Sequence, residues 1–161
     1  MKKIVIGAAI VAGIGLLLFV GSVAYVYFII FGNADRTIAR NLSVTNEWTE
    51  VSINPPVKPS YDHQAIYLRP VGFKVDLAVK GNEIRLPDGT VVEPEVEVYD
   101  ENGKAFRMHK SGFAMAREDY VEFWPEPTWT LPKNRKYSSV RIRSDVPFVC
   151  ESVSWIDYSP P

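Results

Sequence analysis

Five side chains between residues 120 and 129 combine aromatic rings with carboxylates. They are Tyr120, Glu122, Trp124, Glu126 and Trp129. Rigid rings bury a large apolar area at little entropic cost when they bind a partner, and carboxylates accept hydrogen bonds from hydroxyl or cationic groups. Because Pro125 and Pro127 interrupt the backbone here, we expect the rings to lie at a sheet edge. These five residues are our candidate ligand-binding surface; the alternative is that the rings cap the core.

The same region is rich in acidic residues, which suggests a second chemistry. Glu118, Asp119, Glu122 and Glu126 all lie within it. Glycoside hydrolysis uses two carboxyl groups that lie roughly 5 to 9.5 Å apart on either side of the scissile bond. An envelope carbohydrate hydrolase with a carboxylate pair between Glu118 and Glu126 is therefore the alternative function, and its test is the separation of the two groups.

Other catalytic and metal chemistry is not indicated. The only two histidines, His63 and His109, have no partner at metal-ligand spacing, and no HExxH, CxxC, GxSxG or phosphate-loop motif is present. Asp62 and His63 are adjacent, so in a strand they would point to opposite sides and would not form part of a triad. We expect no catalytic residue, no metal and no cofactor.

A long apolar run precedes all the candidate functional residues named above. Residues 4–31 contain no charged residue and no proline, and roughly 20 such residues suffice to cross the hydrocarbon core of a membrane. Lys2 and Lys3 come directly before the run, which by the positive-inside rule places residues 1–3 in the cytoplasm. The sequence therefore predicts a single-pass protein of a bacterial inner membrane, with its C-terminal part outside.

The alternative for this run is a secretory signal peptide cleaved after Ala24. Ser22, Val23 and Ala24 would form the small-residue cleavage site. Cleavage would leave seven apolar residues, 25–31, at the new N-terminus, which is unfavourable in water. We therefore expect the run to be retained as an anchor that contacts the lipid bilayer.

Composition suggests one outer domain without a basic surface. We expect a juxtamembrane linker over residues 32–41, with an extra helical turn in Asp35–Asn41, and a domain over 42–161. Lys2 and Lys3 account for two of the positive charges, so the formal net charge of -1 becomes about -3 outside the membrane. Nucleic acid is therefore not an expected partner. Cys150 is the only cysteine, and we expect it to be a buried apolar residue.

Alternating apolar residues predict short strands through most of this domain. We expect strands over 42–53, 71–79, 83–86, 92–98, 104–110, 119–124, 138–145 and 148–158. Prolines make residues 54–60 an extended connection, followed by a loop up to residue 70. A hairpin turn is expected at residues 100–103, and residues 111–119 fit either strand or helix. In the last strand, the change of phase between Cys150 and Val153 predicts a bulge near Glu151 and Ser152.

These strands and turns predict an all-β fold, an antiparallel β-sandwich. We expect Phe73, Val75, Leu77, Val140, Ile142 and Trp155 to share one core. The last two strands, expected to pair across residues 145–147, carry outward Arg141 and Arg143 and the late Trp155. In this pattern, the final third of the chain resembles the closing hairpin of jelly-roll binding domains. The resemblance implies a binding module, which a single membrane span would hold at high local concentration near a polymer or a membrane-protein partner of the envelope.

Overall fold

The computed structural model describes residues 34–72, 74–75, 84–110, 120–127 and 130–158. These residues form eleven strands: β1 (Ala34–Val44), β2 (Thr49–Val57), β3 (His63–Pro70), β4 (Lys74–Val75), β5 (Ile84–Arg85), β6 (Val91–Val92), β7 (Glu95–Asp100), β8 (Ala105–Lys110), β9 (Val121–Pro125), β10 (Tyr137–Arg143) and β11 (Phe148–Tyr158). Every strand pair is antiparallel. The prediction of an all-β antiparallel fold is confirmed for this part of the chain.

The apolar run over residues 4–31 lies outside the described residues. Within the described part, no helix has the length and apolar character needed to cross a membrane.

Eight strands hydrogen-bond into one sheet that nearly closes on itself. Their order is β1-β11-β3-β9-β8-β7-β10-β2, and the short strands β4, β5 and β6 form a separate three-stranded sheet. The two edges of the large sheet, β1 and β2, come together where the Thr49 hydroxyl donates a hydrogen bond to the Ser43 carbonyl over 3.4 Å. The large sheet therefore encloses one core.

The first strand differs from the local structure expected before residue 42. Residues Ala34–Val44 pair with β11 from Ala34↔Asp157 to Val44↔Phe148, so the helical turn expected over Asp35–Asn41 is wrong and the strand begins within the expected linker. The single strand expected over 42–53 is also wrong, because Trp48 lies between β1 and β2. A register shift between Thr37 and Ala39 interrupts the alternation of β1, and this interruption concealed the strand.

The central strand β3 corrects a second expectation, since residues 61–70 were expected to be a loop. Strand β3 pairs with β11 on one side and with β9 on the other. Gln64, Ala65, Ile66 and Leu68 are all buried, so both faces of the strand are covered. A strand buried on both faces lacks the alternation of polar and apolar residues on which our prediction relied.

The last two strands do not pair with each other, so the predicted closing hairpin is wrong. Strand β10 lies between β7 and β2, whereas β11 lies between β1 and β3. The bulge predicted near Glu151 is confirmed, because the register with β3 shifts between Cys150↔Pro70 and Ser152↔Arg69. The extra residue lets Cys150 and Val153 both face the core.

The turn prediction and half of the core prediction are confirmed. The hairpin between β7 and β8 turns at Gly103, which has a φ of 77°. Val140, Ile142 and Trp155 belong to one buried cluster. Phe73, Leu77, the side chain of Val75, most of the strand expected over 71–79 and the ambiguous segment 111–119 lie outside the described residues.

The first part of the proline-rich stretch over residues 54–60 is extended, as expected, and up to Val57 it belongs to β2. The pairing of β2 with β10 runs from Thr49 to Ser52 and resumes at Val57. Pro55 and Pro56 lie in the irregular stretch between, which agrees with the lack of a backbone donor in proline.

Candidate functional site

The outer face of strands β11, β3 and β9, which points away from the core, carries a cluster of aromatic rings. We name the four rings the aromatic layer: Tyr67, Tyr120, Trp124 and Tyr158. Their placement follows from the alternation of each strand, because Ile66, Leu68 and Phe123 point into the core and their neighbours point outward. Cross-strand pairing of Tyr67 with Glu122 then places the rings of different strands side by side.

The rings of the aromatic layer stack in two pairs. The centroids of Trp124 and Tyr158 lie 5.1 Å apart with an interplanar angle of 12°, and those of Tyr67 and Tyr120 lie 4.1 Å apart at 18°. His63 meets the Trp124 ring edge-on at 6.3 Å. All four rings are half-buried. Each ring is held in place by the ring on which it stacks, and part of its surface still faces solvent.

Glu122 lies at the centre of the aromatic layer and is only 7% exposed. Its Oε1 accepts hydrogen bonds from the hydroxyls of Tyr67 at 2.7 Å and Tyr158 at 3.4 Å, and its Oε2 accepts one from the indole of Trp124 at 3.2 Å. Burial raises the pKa of this carboxyl above its usual value, and the indole hydrogen bond partly counteracts the rise. The carboxylate therefore orients three of the four rings.

The hydroxyl of Tyr158 is also largely removed from solvent. Burial, together with the negative charge of Asp35 on the neighbouring strand β1, raises the pKa of its hydroxyl. The hydroxyl is therefore protonated at physiological pH and acts as a hydrogen-bond donor to Glu122.

The remaining predicted site residues are placed differently. Glu126 is exposed, follows the end of β9, and has its Oε1 at 3.9 Å from Nδ1 of His109. Trp129 lies outside the described residues. The structure thus brings together Tyr120, Glu122 and Trp124 on one face, with Glu126 at its end.

Sequence reasoning missed Tyr67, Tyr158 and His63. Tyr67 and His63 lie on β3, which was expected to be a loop. Tyr158 lies on β11, and β11 was not expected to pair with β3. The available signal was the run Gln64–Leu68, which is apolar apart from its first residue and rich in strand-forming types. It could have identified β3, although not its neighbours.

Glu122 and Glu126 lie four residues apart, which along an extended strand corresponds to about 13 Å between Cα atoms. Glycosidases are defined by the separation of the two carboxyl groups, roughly 5 to 9.5 Å, so the hydrolase alternative stays a prediction. Glu122 already accepts hydrogen bonds from three ring groups. Glu118 and Asp119 lie outside the described residues.

Metal binding has no structural basis in the described part of the chain. No group of three or more His, Cys, Asp or Glu side chains there could hold an ion. Cys150 is fully buried, and burial raises the pKa of its thiol to about 12.

The outer face of β7, β10 and β2 differs sharply from the aromatic layer. Arg143 donates two hydrogen bonds to Glu95, at 3.1 and 2.7 Å, and Arg141 pairs with Glu50 at 2.9 Å. Hydrogen bonds from Ser139 and Arg141 lower the pKa of Glu50. Arg141 and Arg143 also lie over the rings of Tyr99 and Trp48, at 4.6 and 4.7 Å from the centroids, so the rings of this face contact cations rather than one another.

Comparison of the chain with protein-family models, with curated proteins and with solved structures gave no significant match.

Proposed function

We propose that this protein is a membrane-anchored binding module whose aromatic layer, together with Glu122, contacts a polymer or protein partner in the cell envelope. The observation that carries the proposal is the pair of ring stacks around Glu122. Four half-buried rings lie on one outer face, three of them hydrogen-bonded to Glu122 and the fourth, Tyr120, stacked on Tyr67, and together they form a preorganised surface. Such surfaces bind with little loss of side-chain entropy.

Anchoring is the second part of the proposal. Residues 4–31 span the bacterial inner membrane with Lys2 and Lys3 on the cytoplasmic side, and the domain lies outside. The uncharged length of the run and the position of the two lysines support this topology. Tethering keeps the domain close to its partners, so that modest affinity suffices.

The domain itself is, in this proposal, a jelly-roll sandwich. If β4, β5 and β6 are left out and the eight strands of the large sheet are renumbered 1 to 8 along the chain, their order across the sheet is 1-8-3-6-5-4-7-2. This order divides into the halves 1-8-3-6 and 2-7-4-5, the arrangement of two interlocked Greek keys. The aromatic layer then covers the outside of the first half, and the ion pairs cover the outside of the second.

A retention assay with two matched tryptophan variants tests the binding role. The full chain in detergent, Trp124→Ala and Trp48→Ala are applied to immobilised cell-wall polymer and to envelope membrane proteins, and the unfolding midpoint of each is recorded. Trp48 is the control because it is half-buried outside the aromatic layer, between β1 and β2. We expect Trp124→Ala to lower the midpoint, because Glu122 loses the indole donor, but to stay folded at the temperature of the assay and to lose retention, while Trp48→Ala is retained. Equal retention of both variants would contradict the proposal.

A further inference from the structure

We propose that Trp124 and Tyr158 of the aromatic layer, together with the adjacent His63, dock onto the lipid headgroups of the membrane that the chain itself spans. The inference builds on the anchoring part of the proposed function. It adds a defined orientation of the domain and a second contact with the bilayer.

Strand register places these side chains at the end of the sheet where the chain enters. Ala34, the first residue of β1, pairs with Asp157 of β11. Tyr158 follows Asp157 and pairs with His63, the first residue of β3. Both therefore lie one residue beyond Ala34, on the side from which the preceding chain arrives. Trp124 stacks on Tyr158 and thus belongs to the same end.

The length of chain before β1 keeps this end at the membrane surface. Only residues 32 and 33 separate the apolar run from Ala34. Three residue steps from Phe31 to Ala34 span at most about 10 Å. The headgroup region on each side of the hydrocarbon core is about 5 to 8 Å thick. An anchor that ends at Phe31 therefore leaves the Ala34 end of the sheet within or next to the headgroups.

The chemistry of this end suits that location. Tryptophan and tyrosine prefer the membrane interface, because their rings are apolar and their N–H or O–H groups need polar partners. The opposite end of β1 leads to Thr45, Asn46 and Glu47, which are polar and exposed. Eleven residues of extended chain put that end about 35 Å away.

Charges of both signs lie near this end, because Arg36 follows Asp35 on β1. Asp35 and Glu126 are exposed carboxylates at this end of the outer face. The nearby Asp62 carboxylate is paired with Lys133, and this interaction lowers the Asp62 pKa. Carboxylates and aromatic faces both attract the ammonium group of a zwitterionic headgroup, and the cation of Arg36 attracts its phosphate.

Depth-dependent fluorescence quenching tests the docking. The full chain is reconstituted into phosphatidylcholine vesicles that contain a lipid with a spin-labelled headgroup, after a fluorophore is attached at Glu126→Cys or, as the control, at Asn46→Cys. Native Cys150 is fully buried, so the introduced thiol is the one that reacts, and wild-type protein treated in the same way measures any background. We expect at least several-fold stronger quenching at position 126 than at position 46.

The outcomes separate docking from anchoring. Equal quenching at both positions, or none at position 126, in protein that floats with the vesicles would overturn the docking while leaving the anchor intact. Protein that does not float would contradict the anchor and the docking with it. Trp124→Ala, introduced beside the label at position 126, should weaken the quenching at that position.

Discussion

The hydroxyl of Tyr67 donates a 2.7 Å hydrogen bond to Glu122 Oε1 across two neighbouring strands, although 55 residues separate the two in the chain. Glu122 is 7% exposed on a sheet face that would ordinarily be solvated. A carboxyl group in such a place must be hydrogen-bonded or protonated. Here the tyrosine hydroxyls and an indole N–H supply the donors, so the position of the rings and the protonation of Glu122 are coupled.

This coupling predicts a pH-dependent stability. Because burial raises the pKa of Glu122, the folded protein holds a proton at pH values where the unfolded chain has lost it. The free energy of unfolding should therefore fall as pH rises from the ordinary carboxyl range through the raised pKa of Glu122. The Glu122→Gln variant has no titratable group at this position. Its free energy of unfolding should therefore not show the part of the fall that comes from Glu122. Urea unfolding between pH 4 and 8 measures the difference between wild type and variant.

Glu126→Gln is the matched control for that experiment, because it removes an exposed carboxylate at the end of the same strand. It should reproduce the wild-type pH profile. If Glu122→Gln keeps the same fall with pH as wild type, the coupling between burial and protonation is wrong.

Truncating Trp155 should test the core. The side chain is 1% exposed and packs against Tyr137, with ring centroids 5.5 Å apart. Trp155→Ala should cost about 3 to 5 kcal/mol of unfolding free energy. Its buried indole N–H has no hydrogen-bond partner among the described residues, so Trp155→Phe removes no bond and should cost clearly less. A loss below about 1 kcal/mol for the alanine variant would show that the ring does not contribute to the core.

Asp157 should stabilise the loop before β3. Its carboxylate accepts hydrogen bonds from the amides of Ser60 at 2.6 Å and Tyr61 at 3.2 Å, and from the Gln64 side chain at 3.0 Å. Asp157→Asn loses the charge and one acceptor, which should cost about 1 to 3 kcal/mol. It should also speed amide exchange at residues 60 and 61. Asp62→Asn, an exposed neighbour, serves as the control and should change little; equal effects of the two variants would refute the role of Asp157.

Features that depend on neighbours in the chain were predictable from the sequence. Gly103 supplies the positive φ of a tight turn, and the phase change around Glu151 requires one extra residue in β11. Alternation likewise placed Val140 and Ile142 in the core and Arg141 and Arg143 outside. Each of these features is decided within a few residues, where steric preference and burial leave one solution.

Features that depend on distant pairing were not predictable. Strands β10 and β11 are adjacent in the chain but lie apart in the sheet, where β10 pairs with β7 and β2 and β11 pairs with β1 and β3. Tyr67 and Tyr158 reach Glu122 only through the register of β3 with its two neighbours. The sequence therefore indicated the aromatic and acidic segment on β9 but not the partners that complete it.

The most direct test of the binding role is site-specific photocrosslinking in intact envelopes. A benzophenone amino acid replaces Tyr120 in the aromatic layer or, as a control, Tyr99, a half-buried tyrosine on the charged outer face whose ring lies 4.6 Å from Arg141. We predict a discrete crosslinked product from position 120 and none from position 99, with the product lost when Trp124→Ala is added. Crosslinking that is equal at the two positions, or absent from position 120, would contradict a partner-binding role for the aromatic layer.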